Sequence, residues 1–161
     1  MNADLQSRLE KILSEPVKST TAVSGGCIAD SRKLELNSGK LFFLKLARRG
    51  NSGMFDSEAL GLEELRKAAA VSVPEVVAKD TDYLLLEWIE EGDVSDDSSM
   101  EKLGFQFAEL HRFRGNKFGF MQENFLGDSP QINIPSSAGS ENWATFYAEN
   151  RRLYLKTLLS L

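Results

Sequence analysis

The chain has 161 residues and is poorest in those that staple small folds together: it holds one cysteine, one histidine and four prolines. A single cysteine, Cys27, cannot close an internal disulfide, so the fold does not depend on an oxidising compartment. One cysteine with one histidine also excludes a zinc centre built from Cys and His. No apolar run approaches the roughly 20 residues that a membrane helix requires. The opening Met1-Asn2-Ala3-Asp4-Leu5 has neither the basic start nor the apolar stretch of a secretory leader, so a soluble, cytoplasmic protein without a membrane partner is expected. Basic charge is scarce as well. The net charge is −5, and Arg48-Arg49 and Arg151-Arg152 are isolated pairs rather than a stripe, so no nucleic acid partner is expected. Against these absences, 42% of the residues are hydrophobic, which is enough to bury a core.

The apolar residues are ordered in readable patterns. Leu5, Leu9, Ile12 and Leu13 recur at helical spacing over 4–13, and Pro16 stops that helix. Strand character follows over 17–24, 28–36 and 41–47, with Asn37-Ser38-Gly39-Lys40 as the hairpin turn between the last two and Gly25-Gly26 as the turn between the first two. A helix over 54–70 comes next, then a strand pair around Val76-Val77 and over 83–88. The expected fold is α+β, a five-stranded antiparallel sheet with one packed helix over 1–89. Residues 90–99, rich in Glu, Asp and Ser, read as a hinge; a run of this composition is also simply a solvated stretch. Residues 100–161 then begin a mainly helical part: one helix through Met100, Leu103, Phe107 and Leu110, a loop-like stretch over 118–139, and a long helix over 141–161.

One carboxylate breaks the pattern. Glu58 shares a helix face with Phe55, Ala59, Leu62 and Leu65, where an apolar residue belongs, and so needs a cationic partner. Lys45 supplies a candidate: it stands in the apolar strand Leu41-Phe42-Phe43-Leu44-Lys45-Leu46, alternating onto the face of Phe43 and Ala47. Taken alone, Lys45 reads as an edge-strand lysine that snorkels to water, and Glu58 as a helix-flank residue. Taken together, in the order glycine turn, strand lysine, helix glutamate, they have the arrangement by which kinase-like folds hold ATP phosphates. Gly25 and Gly26 would bring backbone N–H groups to a phosphate. Glu87-Trp88-Ile89, at the end of a buried strand, could present backbone groups to an adenine edge. The only histidine, His111, stands at a helix end, where a structural role fits best.

These segments resemble the fructosamine kinase, or ketosamine-3-kinase, family, which shares the aminoglycoside-phosphotransferase and protein-kinase-like fold. The resemblance is carried by Gly25-Gly26-Cys27-Ile28, Phe43-Leu44-Lys45, the helix from Met54 through Phe55 and Glu58 to Leu62, and Leu86-Glu87-Trp88-Ile89. Leu110-His111-Arg112, Phe118-Gly119-Phe120, Asn124-Phe125-Leu126-Gly127, Pro130-Gln131-Ile132-Asn133 and Trp143 to Arg152 continue it. The resemblance implies phosphorylation by ATP, with Mg²⁺, of the sugar 3-hydroxyl of ketoamines on glycated proteins or small molecules, after which the adduct decomposes. It assigns Lys45 to the phosphates, Glu58 to orienting Lys45, Gly25, Gly26 and Cys27 to covering the phosphates, and Glu87, Trp88 and Ile89 to adenine.

The chain departs from that pattern in two places. Ile134-Pro135-Ser136-Ser137-Ala138-Gly139 intervenes where family members place a tryptophan after Pro-Gln-x-Asn, and His111-Arg112-Phe113-Arg114 lacks the aspartate of a kinase catalytic loop. No catalytic residue is therefore assigned, Mg²⁺ ligands are expected in sequence this chain does not carry, and the chain reads as truncated before the catalytic loop. Two alternatives stay open: a catalytically inactive nucleotide-binding or regulatory fragment, and a small-molecule phosphotransferase of the same fold. The resemblance also points to Cys27 as redox-sensitive and able to link two chains into a homodimer. Trp143, Phe146 and Tyr147 read first as core, or as apolar surface that would encourage association if exposed, and only second as a sugar-stacking platform.

Overall fold

The computed structural model describes residues 1–23, 29–47, 53–92, 97–126 and 129–150. Two compact units, Met1–Leu110 and His111–Leu161, divide the chain. Among the described residues no helix is long and apolar enough to cross a membrane.

The first unit begins with helix α1 (Ala3–Leu13), started by Asn2, whose Oδ1 accepts the Leu5 N–H at 2.8 Å. It ends at Ser14, whose left-handed φ of 56° returns its N–H to the carbonyl of Glu10. Five strands follow: β1 (Val17–Ala22), β2 (Ala29–Leu36), β3 (Leu41–Ala47), β4 (Val76–Lys79) and β5 (Tyr83–Glu87), with α2 (Met54–Lys67) between β3 and β4. They form one antiparallel sheet in the order β1-β2-β3-β5-β4. Helix α3 (Asp97–Arg112) comes after the sheet.

Both faces of the sheet are covered. On one, Leu5 and Leu9 of α1 meet Leu34, Leu36, Leu44, Tyr83 and Leu85; on the other, Phe55 and Ala59 of α2 meet Leu84 and Leu86, with Phe43 and Ala47 beside them. Two helices therefore pack on the sheet rather than the one expected, because Leu5 and Leu9, one helical turn apart, bury against the side that α2 leaves open. Cover on both sides also explains why Tyr83, Leu84, Leu85 and Leu86 are all buried in succession. The alternation read along β3 holds: Phe42, Leu44 and Leu46 face α1, and Phe43 and Ala47 face α2. The edge-strand reading of Lys45 does not hold, since β3 is the middle strand.

One further expectation changes at the level of a single residue. Leu65 leaves the apolar face of α2 and is exposed, as a 3.6-residue period drifts off a fixed line. In β4 the register passes from Val76↔Leu86 to Ala78↔Leu85, so two residues oppose one; this bulge sends Val76 to the α2 side and Ala78 to the α1 side. The apolar side chains Met100, Leu103, Phe105 and Phe107 of α3 are exposed.

In the second unit, the stretch expected to be loop carries a small hairpin, β6 (Asn124–Leu126) with β7 (Ser129–Gln131), and a short helix α4 (Ser137–Glu141). The helix expected from 141 begins instead after Asn142, whose Oδ1 accepts the Thr145 N–H at 3.1 Å; residues 143–150 are helical, and 151–161 lie outside the described residues. Asn133 is buried and hydrogen-bonded: its N–H donates to Glu123 at 2.6 Å, its Nδ2 to Asn124 at 2.7 Å, and its carbonyl accepts from Phe120 at 2.9 Å. Phe146 is buried, whereas Trp143 and Tyr147 remain more than half exposed.

Candidate functional site

The sheet register sets Lys45 opposite Ser31 on β2 and Leu84 on β5, both buried. Its stem is thus packed in the middle of the sheet, and its ammonium must reach out from the α2 face for oxygen. Glu58 meets it there. Phe55 and Ala59, anchored against Leu84 and Leu86, fix the rotation of α2, and that rotation aims the carboxylate at the sheet. Lys45 Nζ donates to both Glu58 oxygens at 2.7 Å. The two side chains stay 24% and 30% exposed, so the ammonium, which has three N–H donors, still opens towards solvent. A lysine held extended by a carboxylate, yet reachable from outside, is a fixed positive charge suited to an anionic group.

A second ion pair ties α2 to the sheet. Lys79 on β4 bonds Asp56 in the first turn of α2, where a carboxylate also complements the positive end of the helix dipole. Together with the Phe55 and Ala59 anchors, it holds the helix that carries Glu58.

The end of β5 is pinned from its β4 side. The Glu87 N–H donates to the Glu75 carbonyl at 2.9 Å, and the Glu87 carboxylate accepts the Glu75 N–H at 3.2 Å. With its N–H so engaged, Glu87 leaves outward backbone donors to the residues after it. Trp88 turns its ring onto the sheet, 6.3 Å from the ring of Phe43, and Lys33 places its Nζ 4.5 Å from the centre of the indole. Ile89 is exposed.

The structure thus brings Lys45 and Glu58 together and places Trp88 on the sheet beside Phe43. Gly25, Gly26 and Cys27 lie outside the described residues. His111 sits in the last turn of α3 and is exposed. Among the described residues, no group of three His, Cys, Asp or Glu side chains is gathered as a metal site. Sequence reading missed Lys33 and the Asp56–Lys79 pair. The alternation of β2 places Lys33 on one face with Ser31, but only the register with β3 sets it opposite Phe43.

The site can be set beside known proteins. A model described as fructosamine kinase matches residues 1–160. A probable ketoamine kinase of Synechocystis is 34% identical over 143 residues, which cover 86% of this chain and 46% of that protein. The chloroplastic protein-ribulosamine 3-kinase of Arabidopsis thaliana is 33% identical over 140 residues, covering 83% of this chain and 41% of that one. The chain therefore spans less than half the length of these curated relatives. Among solved structures, a protein assigned as a fructosamine-3-kinase from Thermobifida fusca superposes with a TM-score of 0.78 at 26% identity, over 94% of this chain and 52% of that one. An aminoglycoside phosphotransferase solved with streptomycin and ATP superposes at 0.53 and 14% identity, over 72% of this chain and 42% of that one, a likeness of fold alone. With the motifs, the sheet and the family match in agreement, the chain belongs to the fructosamine kinase family and has its kinase-like α+β fold.

Proposed function

We propose that this chain supplies the ATP-gripping part of a ketosamine 3-kinase, a phosphotransferase that acts on the sugar 3-hydroxyl of ketoamines on glycated proteins or small molecules and so initiates deglycation. The observation that carries this reading is the two-oxygen contact of Glu58 with Lys45 at 2.7 Å, on the sheet face that also carries Phe43 and Trp88. Lys45 would hold phosphate oxygens and Glu58 would keep it extended. Gly25, Gly26 and Cys27 would cover the phosphates, and the segment Glu87, Trp88 and Ile89 would meet the adenine, with Trp88 and Ile89 offering the donors that Glu87 has spent on Glu75. Residues 1–89 would be the nucleotide lobe, 90–99 the hinge, and 100–161 the start of a helical lobe.

Transfer itself needs a carboxylate beside the acceptor hydroxyl. His111-Arg112-Phe113-Arg114 offers none, so the 161-residue chain is expected to bind ATP without turning over a ketoamine. Calorimetry with ATP and a phosphorylation assay on a fructosamine, run on the chain and on Lys45→Met, test this. Loss of one charged hydrogen-bond partner should weaken ATP binding by about tenfold to a hundredfold. Turnover that depends on Lys45 would overturn the claim of a missing base, and absence of ATP binding would overturn the nucleotide site. Binding without turnover also fits a regulatory nucleotide module; adding the homologous C-terminal half of a family member in trans separates the two, since only a kinase part gains turnover. A reducing compartment such as the cytoplasm suits a fold with one thiol. Within this reading Cys27, in the phosphate loop, is the thiol that would join two chains under oxidation, as a band on a non-reducing gel.

A further inference from the structure

The β5 ladder ends with the Phe42↔Glu87 pair, and the Glu75 contact closes its other side, so Trp88 is the first residue past the sheet. What seats it is its ring. The ring contacts Phe43, and the ammonium of Lys33 lies 4.5 Å above its centre. The register places these groups in one row: Lys33 opposite Phe43, and Phe43 opposite Leu86. The indole Nε1–H is buried and has no hydrogen-bond partner, so packing and the cation hold the ring without a polar bond. Glu35, the carboxylate two residues from Lys33 along β2, is engaged by Lys18 Nζ at 2.6 Å and Ser19 Oγ at 3.2 Å, and does not draw Lys33 off the indole.

We infer that Lys33 is a positioning residue for base binding: its ammonium, seated on the Trp88 indole, locks the ring against Phe43 and with it the Trp88-Ile89 backbone that meets the base. The inference rests on the nucleotide reading of the site and assigns Lys33 to the base end, although its charge invites a phosphate role. A half-buried ammonium over an indole is a favourable contact, and a stem of four methylenes covers the ring edge at the same time. Without the charge, the ring gains rotamer freedom and the backbone after β5 gains it too.

Adenosine and ATP separate the two roles of Lys33, because only ATP has phosphates. Dissociation constants of both are measured by calorimetry on the full chain and on Lys33→Met, Lys33→Arg and Lys45→Met. Lys33→Met is expected to weaken adenosine and ATP by the same factor, about threefold to tenfold for a cation–π contact of this kind. Lys33→Arg, which restores a cation over the ring, is expected to recover both, and Lys45→Met to weaken ATP only. In a Trp143→Phe background the remaining tryptophan is Trp88, whose emission should shift in Lys33→Met and return in Lys33→Arg. Unchanged adenosine binding in Lys33→Met overturns the inference, and so does a loss confined to ATP, which would make Lys33 a phosphate contact. If Lys45→Met weakens ATP while Lys33→Met changes nothing, the nucleotide reading stands and this inference alone falls; if the unsubstituted chain binds neither ligand, both fall.

Discussion

Gly119 and Gly61 are the same residue under opposite constraints. Gly119 has φ +93°, and a Cβ built on it would lie 2.7 Å from the Asn133 carbonyl oxygen and 2.7 Å from Pro135 Cδ. That close approach is what lets Phe120 donate to Asn133. Gly119→Ala is expected to lose about 2 kcal/mol or more, because it adds backbone strain to a clash with main chain. Gly61 lies inside α2 with open space where its Cβ would be, so Gly61→Ala is expected to gain about 1 kcal/mol of stability from helix propensity alone. Urea unfolding of the two variants reads both signs, and the opposite order would refute the reading. The Phe118-Gly119-Phe120 motif is visible in the sequence, but its reason is not: the left-handed φ and the Asn133 carbonyl come from the fold. Lys45 and Glu58 are the reverse case, since an apolar strand and an apolar helix face each expose one charge that needs the other.

Among the elements, α1 shows how much a short helix depends on its ends and its one buried line. It spans 11 residues, too few to be stable alone in water, and so needs Leu5 and Leu9 in the core and Asn2 at its start. Asn2→Ala is expected to cost about 1 kcal/mol, read as a lower urea midpoint at unchanged slope. A null result would mean that the leucines alone seat the helix. Helices α1 and α2 and strand β3 were legible because a 3.6-residue or two-residue apolar period runs through each. The β4 bulge was not, because Val76 and Ala78 share a parity in sequence and only the β5 pairing puts them on opposite faces. Nor was the packing of α1, since an amphipathic helix declares an apolar line but not the sheet face that receives it.

At the scale of the molecule, charge ties distant segments together and makes stability depend on pH. Arg8 joins α1 to the turn before β5 through Asp80 and Asp82, and its guanidinium lies 5.5 Å from the ring centre of Tyr83. The Glu10 carboxylate accepts from Gln6 at 2.9 Å and from the Val17 N–H at 3.0 Å, and the Gln6 bond is the larger cause that holds its carboxyl below the usual range. The Lys18 bond does the same for Glu35, helped by Ser19. A carboxyl that titrates lower in the folded state stabilises the fold above its ordinary pKa of 4.5 and loses that contribution as pH falls through and below this value. Tyr83 has the opposite sign. Burial pushes its phenol above the ordinary 10.0, so its contribution is whole below pH 10 and is lost as pH rises past it. Urea midpoints measured across pH are therefore expected to fall on both sides, and Glu35→Gln should flatten the acid limb; an acid limb unchanged in that variant would remove Glu35 from the account.

By itself, the sequence determined the kinds of element from α1 to α3, the faces of β3, the need of Glu58 for a cation and the family to which the chain belongs. These follow from local periodicity, from the cost of an unpaired charge near apolar surface, and from motifs that lie contiguous along the chain. The tertiary structure alone decided that Lys45 lies in the middle of the sheet rather than at its edge, and that α1 covers the face opposite α2. It also set Lys33 over Trp88 and Lys79 against Asp56. Each of these depends on strand order, register or helix rotation. Such quantities are fixed by which apolar faces can bury one another at once, and no single segment of the chain carries that information.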